Sequence, residues 1–502
     1  MIVTTKKQRK ILLIEPPFYR LFKNTYSLER YPLSLGYLAG EIRRNTNWNV
    51  MVYNADFQPQ TESIKVSYLS SVGFDNYLHN LKTRSEKIWK EIKQTIAEYN
   101  PTVVGISAKS QNFTSARIVA NLVKEVNGQT VVIMGGPHPS MVGGDILNHP
   151  EIDISVKGEG ENTITELLNV IDDQKTLDNI QGIFYRSNGR IVENPPREFI
   201  KNLNSLCFPH ESAPEVLKDY NQYPITAFKY IFATRGCPYN CFFCGSRNIW
   251  SRKVRFRSPE NVIKEIKSLQ KIGLKFIHFD DDTFGVSKNY IHTLCNALIQ
   301  HCPGLKWSCE IHQKLVNEYN ISLMKAAGCF SVSIGIESGN NEILSAMRKN
   351  ATIEESLDAC KLIKKHGLEL QAFFIIGFPQ ETEDTLRDTI AALKKVNCDS
   401  LIYSIFTPYP GTEAFEWCKE KGLIDDDYDV SLYNHQSPAN NFCINITPER
   451  FRVLASEIEK SIDRKSFLNR IKKIFSFMIL RRILELGIGK SFKKGLRIVI
   501  GK

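Results

Sequence analysis

Short apolar runs alternate with amphipathic stretches along the first 190 residues, which leaves few folds open to this part of the chain. Residues 33–44 and 114–126 have the spacing of helices with one apolar face. The apolar runs are residues 11–14, 50–53, 103–107 and 131–136. Strands that alternate with helices indicate a doubly wound parallel sheet, with helices on both of its faces. The sequence therefore predicts an N-terminal domain of the α/β class.

Small and polar residues follow the predicted strands of this domain. Ligands of a doubly wound sheet bind beyond the carboxyl ends of its strands, so these residues are candidate binding residues. They are Ser107, Gly135, Gly136, Glu159 and Gly160.

A second series of alternating strands and helices runs from residue 226 to 430. Its expected strands are residues 231–234, 276–279, 306–309, 331–334, 372–376 and 401–405. Six parallel strands with intervening helices predict a (β/α)6 partial barrel, whose chemistry lies at the carboxyl ends of the strands. Residues 191–225 contain five prolines and are expected to be a linker with little regular structure. The expected domains are 1–190, a Rossmann-like domain; 191–225, a linker; 226–430, the barrel; and 431–502, a C-terminal extension.

Composition places the protein among soluble globular chains, with 42% hydrophobic and 24% charged residues. No apolar run approaches the roughly 18 residues that span a bilayer, and the run 11–14 is too short for a signal peptide. We therefore expect a cytoplasmic protein. Most of the net charge of +11 lies in residues 463–502, so the body of the chain is nearly neutral. A neutral body argues against a nucleic-acid enzyme, which would carry a broad basic face.

The most informative motif is a cysteine cluster with the spacing Cys-x3-Cys-x2-Cys, formed by Cys237, Cys241 and Cys244 directly after a predicted strand. Three thiolates this close can bind three irons of a cubane cluster and leave the fourth iron open. Zinc is the alternative, but structural zinc usually takes four protein ligands, commonly as two Cys-x2-Cys pairs. No second pair exists in the sequence, so the motif favours an iron–sulfur cluster.

With Phe243 directly before the last cysteine, the motif resembles the signature of the radical S-adenosylmethionine (SAM) superfamily. The resemblance covers residues 226–430 and implies a 4Fe-4S cluster whose open iron binds the amino and carboxylate groups of SAM. Reductive cleavage of SAM then gives a 5′-deoxyadenosyl radical, for which the cofactor supplies the chemistry and the protein the positioning. It also implies an electron donor such as flavodoxin or ferredoxin.

Later strand ends are similar to other motifs of this superfamily. Asp281 and Asp282 end the second strand, where relatives approach the methionyl amino group of SAM. Glu337 and Ser338 end the fourth strand, at the place of ribose-contacting residues, and Gly377 belongs to a fifth-strand motif near adenine. An acidic strand end alone is more often an ordinary turn, so the order and spacing of the set carry the assignment. The resemblance does not identify a catalytic acid or base.

The N-terminal domain, joined to such a barrel, resembles the cobalamin-binding domain of cobalamin-dependent radical SAM enzymes. The matching segments are residues 11–17, 32–36, 105–107, 135–140 and 158–160. Glycines at strand ends let a flat macrocycle approach the backbone. The sequence lacks the Asp-x-His-x-x-Gly motif that supplies a histidine to cobalt, since Phe57 and Gln58 follow Asp56. Both a bound cobalamin and a domain that binds nothing remain open, and His138 is either a corrin contact or an ordinary loop histidine.

Residues 463–502 form a basic tail with twelve Lys and Arg against two acidic residues. Apolar residues at helical spacing predict an amphipathic helix, followed by a second basic and apolar stretch at 483–500. The helix residues are Phe467, Ile471, Ile474, Phe475, Met478 and Ile479. Such a helix binds an anionic membrane surface, or it packs on the barrel with its charges in water. Peripheral membrane contact would favour a lipid substrate over another small molecule.

The preferred hypothesis is a cobalamin-dependent radical SAM methyltransferase, which uses a 5′-deoxyadenosyl radical to methylate an unactivated carbon. A radical SAM oxidoreductase or cyclase without methyl transfer is the second hypothesis. A non-catalytic cobalamin or iron–sulfur sensor is the third, and the full set of strand-end motifs argues against it. A methylthiotransferase is disfavoured because the sequence has no second N-terminal cysteine triad. The substrate is not identified by any of these residues.

Overall fold

The computed structural model describes residues 9–62, 64, 66–173, 176–433, 437 and 440–474. The N-terminal domain is built on a seven-stranded sheet. Its strands are β1 (Lys10–Glu15), β2 (Asn49–Asn54), β3 (Val103–Ser107), β4 (Val131–Gly135), β5 (Ile154–Val156), β6 (Ile183–Ser187) and β7 (Arg190–Glu193). In space they are ordered β2-β1-β3-β4-β5-β6-β7. Strands β1 to β4 are parallel, as expected, and β5, which the sequence did not predict, continues the parallel order. Strands β6 and β7 form an antiparallel hairpin that extends the sheet past residue 190.

Helices cover both faces of this sheet. They are α1 (Tyr19–Phe22), α2 (Leu33–Asn45), α3 (Val66–Leu69), α4 (Val72–Lys82), α5 (Lys87–Tyr99), α6 (Phe113–Val126), α7 (Pro137–Val142) and α8 (Glu161–Asp173). Because successive side chains of a strand point to opposite faces, Leu12 and Ile14 join one core with α4, α5 and α6. Ile11 and Leu13 join the other core with α2 and α8. This second core continues into the barrel, so the two domains share apolar packing.

The segment expected to be an irregular linker contains a helix, α9 (Pro209–Val216), and three turns of 3₁₀ helix. Those turns are Leu203–Ser205, Tyr220–Gln222 and Ile225–Phe228. Helix α9 packs on α2, and its residues Ala213 and Val216 are buried in the shared core. The prolines of this segment therefore mark short turns and a helix start rather than a loose connection.

A six-stranded parallel sheet forms the second domain, with the order β15-β14-β13-β12-β11-β8. The strands that follow β7 in the chain are β8 (Tyr230–Ile231), β9 (Thr234–Arg235), β10 (Arg255–Phe256), β11 (Phe276–Phe279), β12 (Lys306–Glu310), β13 (Cys329–Glu337), β14 (Glu369–Ile376) and β15 (Ser400–Ile405). The expected partial barrel is confirmed, and its first strand is shorter than expected. Strands β9 and β10 form a separate antiparallel ribbon, and the cysteine loop lies between them.

Most helices of the second domain begin at an N-cap residue whose side chain accepts a backbone N–H. The helices of this domain are α10 (Ser246–Trp250), α11 (Pro259–Lys271), α12 (Lys288–His301), α13 (Glu318–Ala326), α14 (Asn341–Ala346), α15 (Ile353–Lys365), α16 (Glu383–Lys395) and α17 (Glu413–Glu420). At α11, α12, α15 and α16 a Ser or Thr side chain accepts a backbone N–H of the first turn. Such caps fix where each helix starts, and so they fix the loops that leave the strand ends.

The C-terminal extension packs on the barrel through α18 (Pro448–Ile474). Phe451, Leu454 and Ile458 are buried against the barrel, and Asn469 donates to the carbonyls of Cys398 and Asp399. Phe467, expected on the apolar face of a tail helix, is 51% exposed. Residues 475–502, which hold the rest of the predicted basic tail, lie outside the described residues. None of the described helices is both long and apolar enough to cross a membrane.

The carboxyl ends of the two parallel sheets face each other. Helix α7 follows β4 and contacts α10 in the cysteine loop. Met141 of α7 lies so close to Gly245 and Gly411 that a Cβ on either glycine would stand 2.5 or 2.6 Å from a Met141 atom. On the same side, Thr114 donates a hydrogen bond of 3.3 Å to Asp429. The predicted binding edge of the first sheet therefore adjoins the cysteine loop of the second.

The contribution of core packing to the stability of the barrel can be tested at Trp307 of β12. It is fully buried, donates to the Ala327 carbonyl at 2.8 Å and contacts Phe279 and Phe284 at centroid distances of 5.3 Å. Trp307→Ala should lower the free energy of unfolding by about 3–5 kcal/mol, because it leaves a large cavity and an unpaired carbonyl. Urea denaturation measures this loss. Ile299→Ala on the exposed side of α12 is the control and should change it by less than about 0.5 kcal/mol.

Candidate active site

A cavity of about 490 Å³ opens at the carboxyl ends of the barrel strands. The three motif cysteines line it, together with side chains from the ends of β11 to β15. The other polar lining residues include Tyr239, Asp282, Thr283, Glu310, His312, Ser333, Glu337, Lys349, Ser404, Thr407 and Tyr409. The apolar lining includes Phe243, Ile311, Phe373, Phe374, Ile375, Ile405 and Phe406. The cavity thus joins thiols, charged groups and aromatic walls at the place where barrel chemistry occurs.

The cysteine loop is anchored on the barrel by backbone and aromatic contacts. Phe242 N–H donates to the Met347 carbonyl at 2.9 Å, and the Phe242 ring meets Phe378 edge-on at 6.2 Å. Ser246 N–H donates to the Cys244 sulfur at 3.4 Å. These contacts hold the loop over the cavity with all three thiols partly exposed to it.

The donor set fits a 4Fe-4S cluster held by three cysteines. Burial raises the pKa of Cys237 to about 11 and that of Cys241 to about 12, so the loop needs a cationic centre to hold its sulfurs as thiolates. Within the described ranges, no three His, Cys, Asp or Glu side chains surround the position of a single metal ion. Three thiols on one loop at the edge of a roomy cavity match the ligands of a cubane with one open iron.

Two acidic residues after β11, Asp281 and Asp282, have different surroundings and different roles. Asp282 lines the cavity and is exposed to it. Asp281 lies beneath the cavity wall, where it accepts hydrogen bonds from Ala233 N–H at 2.8 Å and from the Thr234 hydroxyl at 2.7 Å. Of the two residues proposed from the sequence, only Asp282 therefore lines the cavity. Asp281 instead fixes the chain that leads into the cysteine loop.

The end of β13 provides a buried ion pair that sequence reasoning found only in part. Glu337 accepts a hydrogen bond of 2.8 Å from Lys349, and both side chains are about 10% exposed. Burial opposes the charge of Lys349, but the neighbouring Glu337 outweighs it and raises the pKa of the lysine. Lys349 carried no signal in the sequence, because it follows a short helix and reaches the cavity only through the fold. Ser338 is fully buried beside Thr389 and does not line the cavity.

A stacked pair of rings forms another part of the wall that the sequence did not indicate. Tyr239 of the cysteine loop stacks on His312, with ring centroids 3.8 Å apart and planes inclined by 13°. Burial lowers the pKa of His312 to about 4, so the imidazole is neutral near pH 7. Its Nε2–H donates to the Lys349 carbonyl at 3.0 Å. The stack therefore connects the cysteine loop to the segment that carries the buried lysine.

Gly377 ends β14 and lies behind the cavity rather than in its lining. Its N–H donates to Glu381 at 2.6 Å, and the Phe378 N–H donates to the same oxygen at 3.1 Å. Phe451 of α18 packs against Gly377 from the other side. Gly377, predicted from the sequence to lie near adenine, thus fixes the backbone at the end of β14. Phe374 and Ile375 form the surface of the cavity there.

The candidate corrin residues of the first sheet lie at the edge that faces the barrel. Ser107 ends β3 and Gly135 ends β4, and Gly136 leads into α7. Beyond β5, Gly158 has a positive φ of 81°, and a Cβ built on it would have no neighbour within 4 Å. Strand ends with small side chains and open space above the backbone fit a flat macrocycle. The residues present are therefore compatible with cobalamin at this edge.

Three other candidates at this edge have protein partners. His138 is buried, with its Nδ1 3.0 Å from the Ser110 hydroxyl and a pKa lowered by burial to about 4. Gly160 packs beside Leu38. Glu159 is buried and bonded to two arginines of the second domain. The structure thus gives Glu159 an interdomain role in place of the ligand contact expected from the sequence.

Comparison with known proteins matches both halves of the chain. The Radical SAM superfamily model covers residues 231–393, and the B12 binding domain model covers residues 24–168. An uncharacterised methyltransferase of Pyrococcus horikoshii is 31% identical over 427 residues, 83% of this chain and 85% of the relative. The chain belongs to the radical SAM superfamily and carries a B12-binding domain. It is an enzyme whose cofactors are a 4Fe-4S cluster, SAM and cobalamin.

Other similar proteins belong to more than one reaction class. The anaerobic magnesium-protoporphyrin IX monomethyl ester cyclase of Rubrivivax gelatinosus is 28% identical over 395 residues, 76% of this chain and 70% of the relative. The solved radical SAM methyltransferase TsrM from Kitasatospora setae superposes with a TM-score of 0.70 at 17% identity, over 92% of this chain and 90% of that one. This likeness confirms the fold of the radical SAM enzyme described above.

Cys241→Ser tests the cluster site. The variant should lose most of the iron and sulfide that the reconstituted wild-type protein binds, because a hydroxyl does not replace a thiolate ligand. Anaerobic iron and sulfide analysis per chain measures the loss. Cys207→Ser is the control, since Cys207 is bonded to Glu41 outside the cavity and should leave the iron content unchanged. Equal iron in both variants would contradict the assignment.

The raised pKa of the Glu381 carboxyl leads us to expect that the stability of the protein depends on pH. Burial raises the pKa of this carboxyl from 4.5 to about 8, and its Oε1 atom has no hydrogen-bond partner. The folded state therefore binds a proton that the unfolded state releases between these values, so this group makes stability fall as pH rises from about 4.5 to about 8. Glu381→Gln should remove that part of the fall. Urea midpoints measured at pH 5 and pH 9 test this, and an unchanged difference would contradict it.

Proposed function

We propose that this radical SAM enzyme transfers a methyl group to an unactivated carbon of a small-molecule or lipid substrate. The observation that carries the proposal is the placement of the two cofactor surfaces. The cysteine-lined cavity and the glycine-rich edge of the B12-binding domain adjoin each other around Met141. A methyl carrier and a radical source have to reach the same substrate atom, and this arrangement places the two surfaces next to each other.

The cofactors supply the hard chemistry: the cluster delivers the electron that cleaves SAM, and cobalamin carries the methyl group. The protein binds and orients. Lys349, paired with Glu337 in the cavity wall, offers a cation for the carboxylate of a SAM methionyl group, and Asp282 offers an acceptor for its amino group. Phe374 and Phe406 form apolar walls that keep water away from a reactive radical.

Two features support the proposed partners. An external electron donor is needed because the described chain offers no second cluster loop, and flavodoxin or ferredoxin fits that role. For the C-terminal extension, Phe467 and Leu468 are exposed, and they precede the basic segment 475–502 in the sequence. We propose that these residues contact an anionic membrane surface when the substrate is a lipid.

A cyclase or other oxidoreductase without methyl transfer is the second candidate. The similarity to the cyclase of Rubrivivax gelatinosus favours it, since that relative matches 76% of this chain. The two candidates share the cluster, SAM and the cavity. They differ in whether SAM also donates a methyl group.

The products of SAM separate the two candidates. Reconstituted enzyme with cobalamin, a reductant and candidate substrates should form S-adenosylhomocysteine and 5′-deoxyadenosine together with a methylated product, because one SAM gives the methyl group and another gives the radical. Anaerobic assays with chromatography and mass spectrometry measure all three. Deoxyadenosine with a changed substrate but no S-adenosylhomocysteine would reject methyl transfer and favour the cyclase class.

A further inference from the structure

The loop that carries the three cysteines starts and ends at a pair of arginines. Arg235 is the last residue of β9 and Arg255 the first of β10, and the two are directly opposite each other in the ribbon. Residues 236–254 form the loop between them. Like charges directly opposite in an antiparallel pair destabilise it. Neutralising both arginines therefore stabilises the stem of the cysteine loop.

Two carboxylates of the N-terminal domain provide that neutralisation. Glu159 Oε1 lies 2.7 Å from Arg235 Nη1, and Glu159 Oε2 lies 2.8 Å from Arg255 Nη1. Glu161 Oε1 lies 2.6 Å from Arg235 Nη2. The backbone of Ile200 completes the group, since its N–H donates to Glu159 at 2.6 Å and its carbonyl accepts from Arg255 at 2.8 Å. One short loop of the first domain thus holds both strands of the ribbon.

This group of charges is shielded from water. The side chains of Glu159, Glu161, Arg235 and Arg255 are 2%, 6%, 6% and 12% exposed. The Arg235 guanidinium also lies 5.2 Å from the ring of Tyr37 on α2. When a buried ion pair loses one partner, the other charge stays behind without compensation, so such a group tolerates very little displacement.

Aromatic contacts extend the same connection into the cysteine loop and the linker. The Arg235 guanidinium lies 5.4 Å from the ring of Trp250, which belongs to the cysteine loop, and Arg255 lies 4.9 Å from the ring of Phe199. Cation–π contacts at these distances attract each arginine to the neighbouring ring and so add to the ion pairs. The two arginines are therefore held from several sides at once.

We propose that residues 158–161 of the B12-binding domain are a clamp that sets the position of the cysteine loop, with Glu159 and Glu161 as positioning residues. They act on the cluster through Arg235 and Arg255, and they touch neither the cluster nor the cavity. Both oxygens of Glu159 are used by the clamp, so this residue is not available to a corrin. The B12-binding domain therefore has a second task, which does not depend on methyl transfer.

Glu161→Gln in the full-length chain tests the clamp, because it removes one charge and keeps the shape of the side chain. The reconstituted variant should release cluster iron to a chelator about tenfold faster than the wild type, as expected when a partner of a ligand segment is lost. In protein without a cluster, backbone amides of residues 236–254 should exchange with deuterium faster. Neither measurement needs cobalamin or substrate, so failure of the clamp and failure of the proposed methyl transfer are separate outcomes.

Glu166→Gln is the matched control. Glu166 lies on the same helix and pairs at 2.5 Å with Arg197 of the linker segment, not with Arg235 or Arg255. It should change neither iron release nor exchange in the cysteine loop. The variant Glu161→Gln with Arg235→Met should release iron no faster than Arg235→Met alone, because Glu161 acts through that arginine.

Three outcomes would overturn the proposal. They are iron release from Glu161→Gln at the wild-type rate, equal effects of Glu161→Gln and Glu166→Gln, and independent effects of Glu161 and Arg235 in the double variant. Should Glu161→Gln fail to fold, Arg235→Lys serves as the test, since lysine keeps the charge but cannot bridge two carboxylates in the same geometry. Arg235→Lys should then accelerate iron release, and an unchanged rate would overturn the proposal equally.

Discussion

The arrangement of this protein depends on the contact between the carboxyl-end surfaces of its two parallel sheets. A parallel sheet gathers the loops that follow its strands at one edge, and that edge is where such folds bind ligands. Here two parallel sheets place those edges against each other, with α7 of the first sheet touching the cysteine loop of the second. Each domain thereby buries part of its carboxyl-end surface against the other domain. The cavity, the cysteine loop and the glycine-rich edge are all consequences of this one arrangement.

Several buried charges in this protein occur as pairs with good geometry. Glu337 and Lys349 form one pair in the cavity wall, and Arg257 and Glu265 form another beneath the barrel. Burying a single charge costs several kcal/mol, whereas a hydrogen-bonded pair recovers much of that cost and fixes direction. The pairs therefore contribute geometric order more than net stability. In a site that has to control a radical, side chains held in a fixed geometry keep the reactive atoms at a fixed separation.

The parts of the site that depend on nearby residues were predictable from the sequence, and the rest was not. The three cysteines are neighbours in the chain, and their spacing alone indicated a cluster. Lys349 and His312 reach the cavity only because distant strands bring them there, so no local pattern distinguishes them from other residues. Glu159 illustrates a different limit. Its glycine-flanked position correctly placed it at a strand end, but the sequence could not show which arginines would face it.

The fold shows the same division. Alternation of apolar runs predicted the parallel core of the first sheet and the six strands of the barrel, because each strand carries its own burial pattern. The β6–β7 hairpin was missed, since its outer strand is largely exposed and shows little apolar signal. The packed helix in the supposed linker was also missed. Pro209 and Pro214 suggested a break there, although Pro209 stands at the first turn of a helix, where proline is tolerated.

An open sheet, unlike a closed barrel, has two borders at which backbone groups lack a strand partner. In the second domain these borders are β8, which has two residues, and β15, which has six. Helix α18 packs against β15, and Asn469 donates to the carbonyls of Cys398 and Asp399, directly before that strand. The C-terminal extension thus lies against the strand at the longer border. A chain cut before residue 448 would be expected to self-associate through β15, and it would also lose the Phe451 ring that packs against Gly377.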